Sequence, residues 1–164
     1  MTKESATGGK AERAALFHNV RSAYNVGALF RTADGAGISH LYLTGITPTP
    51  TDRFGRVQKE INKTALGAEQ FVAWEYCKQP STLLRRLKNE GWTIVGVEQD
   101  ARAVNYRGYQ ASRKTLFVFG AEVKGLSKQL RDQCDSLIEI PMRGSKESLN
   151  VSVAAGIVLY QFSN

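Results

Sequence analysis

The chain is poor in the residues that staple, ligate or anchor a protein. It carries two cysteines and two histidines in 164 residues. Cys77 and Cys134 form no CxxC and have no paired histidine, so neither a disulfide framework nor a zinc site is indicated. A reducing cytoplasm is the default that this cysteine usage implies. No apolar stretch approaches the roughly 18 residues that a membrane-spanning helix needs. The best candidate, residues 151–160, is shorter and contains Ser152 and Gly156. The opening MTKESATGGKAER has no apolar block, which excludes a secretory signal and reads as a flexible tail over residues 1–13. Residues 14–164 then form one domain, long enough to hide roughly 70% of the extended chain's surface. Glycine (15) and proline (4) are near average and 42% of the chain is hydrophobic, so neither disorder nor a collagen-like chain fits.

Charge is what the chain has in excess, at +7 overall. Residues 1–60 hold 8 basic and 5 acidic groups, residues 61–120 hold 9 and 5, and residues 121–164 hold 5 and 5. The surplus therefore lies in the first two thirds. A basic excess of this kind suits a polyanionic partner, because each lysine or arginine that neutralises a phosphate releases counterions. A soluble basic protein without such a partner is the plainer alternative.

Apolar runs alternate with helix-like segments almost from end to end. LFHNV (16–20) reads as a strand, and residues 24–36 as a helix with Val26, Leu29, Phe30 and Ala33 at helical spacing. HLYL (40–43) is a second strand, followed by a long loop over about 45–60 with Pro48, Pro50 and the charged RFGR. Residues 71–74 make a weaker third strand, and Ser81 caps a helix to Glu90 with Leu83, Leu84 and Leu87 on one side. WTIVGV (92–97) and LFVF (116–119) read as strands buried on both faces. Ser127 caps a short helix to about Cys134, LIEI (137–140) is a last strand, and residues 151–162 a last helix. Such alternation predicts an α/β fold, a mostly parallel sheet with helices on both faces.

In open parallel sheets, ligands bind beyond the carboxyl ends of the strands. Three such loops carry chemistry-bearing residues. The first, NVRSAYNVGALFR, holds Asn25, Gly27 and Arg31 and lacks GxGxxG, which disfavours dinucleotide folds and the common glycine-turn methyltransferases. Taken singly, Asn25 reads as a helix N-cap and Arg31 with Asp34 as a solvated pair. The second, GAEVKGLS, sets Glu122 between Gly120 and Gly125 before a capped helix, a loop whose amides could face a ligand. Its spacing is not that of a phosphate-binding loop. The third, PMRGSKESLNVS, offers Ser148, Asn150 and Ser152 as helix starters, although one helix takes only one N-cap, so the surplus favours a ligand. His18 and His40 read as packed or surface residues rather than catalytic ones.

Together NVRSAYNVGALFRTADGAG, FVFGAEVKGLS and IPMRGSKESLNVSVAAGIVLYQ, in that order, resemble the SpoU-type (TrmH-like) RNA ribose 2′-O-methyltransferases of the SPOUT superfamily. HLYLTG and KTALGAE fit as well, and the resemblance runs from about residue 16 to the end. It implies a C-terminal deep trefoil knot and a homodimer with its active site at the interface. It also implies S-adenosylmethionine bound near Val97, Gly120, Ile140, Met142 and Leu149, and methyl transfer to a ribose 2′-hydroxyl, in tRNA first and rRNA second. The sulfonium methyl is already activated, so no metal is required. By resemblance Arg31 is the catalytic arginine, and Asn25, Glu122, Ser148 and Asn150 match the other functional positions. A guanidinium with a pKa above about 12 is a poor base, so Arg31 is expected chiefly to clamp an RNA phosphate and orient the hydroxyl. The larger relatives grip tRNA with extensions, whereas this chain stops just after its last helix. RNA contact is therefore expected from the 45–60 loop and from Arg21, Arg31, Arg53, Arg56, Arg102 and Arg107. Two other readings stand beside this one: a non-catalytic RNA-binding or cofactor-sensing dimer with the same knot, and an unrelated α/β nucleotide-binding enzyme.

Overall fold

Two strands explain the architecture. In a β-strand successive side chains point to opposite faces, so a strand apolar at every position must be covered on both. In β1 (Glu12–His18), Ala14 and Leu16 enter one buried cluster while Ala15 and Phe17 enter another. In β6 (Lys114–Phe119), Leu116 and Val118 join the first set, and Phe117 and Phe119 the second. Phe17 stacks on Phe119 with ring centroids 5.1 Å apart, locking β1 to β6 across their shared face. The computed structural model describes residues 9–163.

The remaining strands are β2 (His40–Thr44), β3 (Ala73–Cys77), β4 (Thr93–Val97), β5 (Val104–Asn105) and β7 (Ser136–Glu139). They form a seven-stranded sheet in the order β3-β2-β1-β6-β4-β7-β5, and every pairing is parallel. Helices α1 (Ala23–Gly35), α2 (Lys59–Ala65) and α5 (Val151–Gln161) contribute to the cluster holding Phe17 and Phe117. Helices α3 (Pro80–Asn89) and α4 (Lys128–Gln133) contribute to the opposite one through Leu83, Leu84, Leu87 and Leu130. α1 and α2 approach closely because Gly27 has no side chain: a Cβ there would collide with Thr64 Oγ1 and the Ile61 carbonyl.

Several boundaries differ from expectation, each for a local reason. Of the tail expected over residues 1–13, residues 1–8 lie outside the described part, while Glu12 and Arg13 belong to β1. The buried Arg13 guanidinium donates to the carbonyls of Phe162 (3.0 Å) and Ser112 (2.8 Å), which holds this end of the strand in place. α1 is capped by Ser22, whose hydroxyl accepts from the Asn25 amide at 3.2 Å, so Asn25 is not the N-cap. β3 begins at Ala73 because residues 68–70 form a 3₁₀ turn that leaves Phe71 80% exposed. α3 starts from Gln79 with Pro80 at its first position, where proline's fixed φ suits a helix, and not from Ser81. The short β5 and α2 carried no readable periodicity.

Candidate active site

β4 lies between β6 and β7 in the sheet, so the loops leaving their carboxyl ends are neighbours. They enclose a cavity of about 240 Å³. Val97, Gly120, Ile140, Met142 and Leu149, the five expected cofactor residues, all line it, together with Glu122 and Ser148.

The loop after β6 turns tightly on itself. The Gly125 amide donates to the Ala121 carbonyl at 2.9 Å, and Gly125 has φ +61°, a conformation that glycine adopts without strain. A Cβ on Gly120 would strike the backbone of Gly125 and Leu126, so the turn closes only with glycine at that position. Both flanking loops are tied to the exit of β4. Glu98 Oε2 accepts from the Leu126 amide at 2.7 Å, and the Gln99 side-chain amide donates to the Ile140 carbonyl at 2.9 Å. One carboxylate and one carboxamide thus set the separation of the walls. Neither residue was singled out from the sequence, although their position directly after an apolar strand was the available signal.

The first loop meets the second at the cavity's rim. Asn25 sits in the first turn of α1, and its side-chain amide donates to Glu122 Oε1 at 3.3 Å. Released from capping, Asn25 spans 97 residues of sequence to a carboxylate that lines the cavity. Asn150 is the N-cap of α5, and its Oδ1 accepts from the Ser152 amide (2.8 Å) and hydroxyl (2.6 Å). That cap consumes Ser152 as well as Asn150, leaving exposed Ser148 as the surplus hydroxyl on the cavity wall. Arg31 is exposed on α1 and is not among the residues lining the cavity.

The site is chemically suited to a cationic, partly apolar ligand. Glu122, Glu139 and Glu147 supply negative charge around the apolar side chains of Val97, Ile140, Met142 and Leu149. Among the described residues no group of three or more His, Cys, Asp or Glu could hold a metal ion. None of their helices is long and apolar enough to cross a membrane.

The six arginines expected to touch RNA are all exposed, but they are not equally free. Arg102 pairs with Asp100 (3.1 Å) and Asp132 (2.9 Å), and its guanidinium holds the Asp100 carboxyl at about 2. Arg56 pairs with Asp52 at 2.7 Å, and Arg107 donates to the Tyr106 hydroxyl at 3.2 Å. Arg21, Arg31 and Arg53 have no carboxylate partner among the described residues. Lys124 on the cavity wall and exposed Arg143 and Lys146 on the third loop likewise have no carboxylate partner among the described residues.

Comparison with known proteins gives a consistent result. The profile of the SpoU rRNA Methylase family matches residues 13–160. The 23S rRNA (guanosine-2′-O-)-methyltransferase RlmB of Escherichia coli (strain K12) is 36% identical over 146 residues, 89% of this chain and 57% of that protein. The chain therefore spans a little over half the length of this relative. Among solved structures, the AdoMet-bound rRNA methyltransferase from Sinorhizobium meliloti aligns with a TM-score of 0.83 at 27% identity, covering 94% of this chain and 56% of that one. The A. aeolicus TrmH/SpoU tRNA modifying enzyme aligns at 0.79 with 30% identity, covering 94% and 75%.

Proposed function

The chain belongs to the SpoU rRNA methylase family, and on that premise we propose that it transfers a methyl group from S-adenosylmethionine to a ribose 2′-hydroxyl of RNA. The observation that carries this reading is the meeting of three strand-end loops on one cavity, with the Asn25 to Glu122 hydrogen bond at its rim. The RNA class expected first, tRNA, is named for the A. aeolicus relative. The class expected second, rRNA, is named for RlmB and for the S. meliloti enzyme.

Val97, Gly120, Ile140, Met142 and Leu149 would hold the methyl donor, with the glycine loop offering backbone amides and the carboxylates facing its positive charges. When bound, the donor supplies an activated methyl on a sulfonium, so the protein's work lies with the nucleophile. A 2′-hydroxyl is a weak acid that must lose its proton and be aligned within roughly 3 to 3.5 Å of the methyl carbon. Arg31 would grip the adjoining phosphate through its two-pronged guanidinium and so aim the hydroxyl, without acting as the base. Glu122 holds Asn25 at the rim, where the sugar would enter, and Ser148 and Asn150 would line the approach from the third loop.

The working form in this reading is a homodimer in the cytoplasm. Its support is α5, apolar nearly all round, together with Tyr24, Val153 and Tyr160, which are about half exposed on α1 and α5. The C-terminal part of the chain would thread the expected trefoil knot, with the loops over 120–127 and 141–149 wrapping the donor; the adjacency of β6, β4 and β7 and the ties from Glu98 and Gln99, just after β4, support this.

Transfer of labelled methyl from S-adenosylmethionine to tRNA and rRNA transcripts tests the proposal. Arg31→Ala is expected to abolish transfer while calorimetric affinity for the donor stays near that of the native protein. Preserved turnover would refute the role of Arg31. Donor and RNA binding without any transfer by the native protein would establish the non-catalytic alternative.

A further inference from the structure

A second constellation, unused by methyl transfer, lies where the loop between β2 and α2 faces the sheet's edge strand β3. Trp74 and Tyr76, two residues apart on β3, share one face and form one wall of an open groove of about 680 Å³. Pro48, Thr49 and Phe54 line it from the loop. Phe54 is 67% exposed at the loop's tip, and the Arg53 and Arg56 guanidinium carbons stand 4.8 and 5.0 Å from its ring centroid. The tip is preformed. Asp52 Oδ1 accepts from the amides of Phe54 (2.8 Å) and Arg56 (2.9 Å), Thr51 and Val57 form a bridge, and the Tyr76 hydroxyl donates to the Gly45 carbonyl at 2.7 Å.

An exposed ring with guanidinium groups close beside it offers what a nucleotide needs. Any base offers a π face for stacking, and its phosphate answers the cation. Arg56 is already matched by Asp52, whereas Arg53 has no carboxylate partner among the described residues. The loop leaves the carboxyl end of β2, the same end of the sheet as the methyl-donor cavity, with only β1 between β2 and β6. At about 4.8 Å per strand, the two sites lie on the order of 10 to 20 Å apart, within one short stretch of RNA. A protein partner would cover the rings but leave the unmatched Arg53 charge buried, while a polyanion satisfies both.

We infer that this groove stacks an unpaired base of the RNA on Phe54 and seats the adjoining phosphate on Arg53, so that the enzyme reads a single-stranded nucleotide near the methylated ribose. The inference rests on the RNA-methyltransferase reading and adds to it a specificity-determining subsite.

The test is binding of the full chain to a labelled single-stranded oligoribonucleotide and to an abasic strand of equal length, followed by fluorescence anisotropy. Phe54→Ala is expected to weaken binding of the base-bearing strand roughly five- to 150-fold and to leave the abasic strand unaffected. Phe54→Trp restores affinity. Arg53→Gln weakens both strands alike and lowers the salt slope by about 0.7. Phe54 is exposed, so an unchanged thermal midpoint shows that the variant is folded. Equal affinities for Phe54→Ala and the native chain, an equal loss on the abasic strand, or a changed oligomeric state in sedimentation would each overturn the inference. If the native chain methylates RNA and Phe54→Ala binds as well as it does, only the groove assignment falls. If the native chain binds no RNA, the methyltransferase reading falls with it.

Discussion

Replacing Glu98 by alanine should loosen the methyl-donor site without touching a residue that carries the chemistry. Its two carboxylate oxygens accept from backbone amides at 2.7 Å (Leu126) and 2.9 Å (Gln99). The first bond ties the loop after β6 to the end of β4, and Gly125, at φ +61°, lies directly against that carboxylate. A hydrogen bond to a charged acceptor contributes roughly 1.5 to 3 kcal/mol, and Glu98→Ala strands the partly buried Leu126 amide as well. If that cost falls on the loop's binding-competent form, affinity for S-adenosylmethionine drops by the same free energy, about ten- to 150-fold. Calorimetric titration of the donor against folded protein measures this directly. Glu98→Gln keeps an acceptor and should recover most of the loss, a rescue that general destabilisation would not produce. A dissociation constant for Glu98→Ala within twofold of the native value would refute the clamp.

Two further predictions concern titration. Burial holds His40 below its ordinary value of 6.5, with Glu75 opposing that shift and Arg86 adding to it, and His18 is lowered by burial alone. Their folded forms favour the neutral ring, so the unfolded chain binds more protons as pH falls through 6.5, and stability drops until the folded values are passed. The thermal midpoint should therefore fall from pH 7.5 to pH 5, and less steeply in His40→Phe; an unchanged slope in the variant would exclude His40 as a contributor. Burial also pushes the Cys134 thiol up to about 12, so about one molecule in ten thousand carries the thiolate at pH 8. Mass spectrometry after iodoacetamide treatment should find Cys134 unmodified until denaturant is added, and alkylation at the unfolded rate would contradict this.

The sheet's centre was legible at β4 and β6, which are nearly continuous apolar runs, as strands buried on both faces must be, whereas β1 was placed too late, at 16–20, because Glu12 and Arg13 hide its start. The cavity was legible for a related reason: its glycines and carboxylates directly follow those runs, where the parallel topology sends ligands. Legibility failed where structure depends on distant partners. Asn25 has the composition of an N-cap, and only the fold brings Glu122 within reach and shows that Ser22 had already taken the cap. Glu98 opens the charged turn EQDAR, which reads as solvent-facing until the Leu126 amide arrives from 28 residues away. Arg102, in the same turn and expected on RNA, pairs with Asp100 and with Asp132, a partner 30 residues on that the local sequence does not show.

The helical repeat of α1 gives the proposed dimer a geometric reason. Arg31 follows Asn25 by six residues, which in an α-helix is about 9 Å along the axis and about 120° around it. Asn25 is turned to Glu122 of its own chain, whereas Arg31 leaves the helix on a different side and is not among the residues lining the cavity. On the proposed reading, a single subunit would hold the donor in its cavity without the arginine proposed to grip the phosphate. The exposed Tyr24 of α1 and Tyr160 of α5 offer apolar surface that a second copy would cover, and Gly35 leaves room for the Tyr160 hydroxyl, which a Cβ there would strike. Pairing two copies through this face would carry each Arg31 towards the neighbouring cavity. The same contact would then supply both the apolar burial that holds the dimer and the cation that aims the ribose.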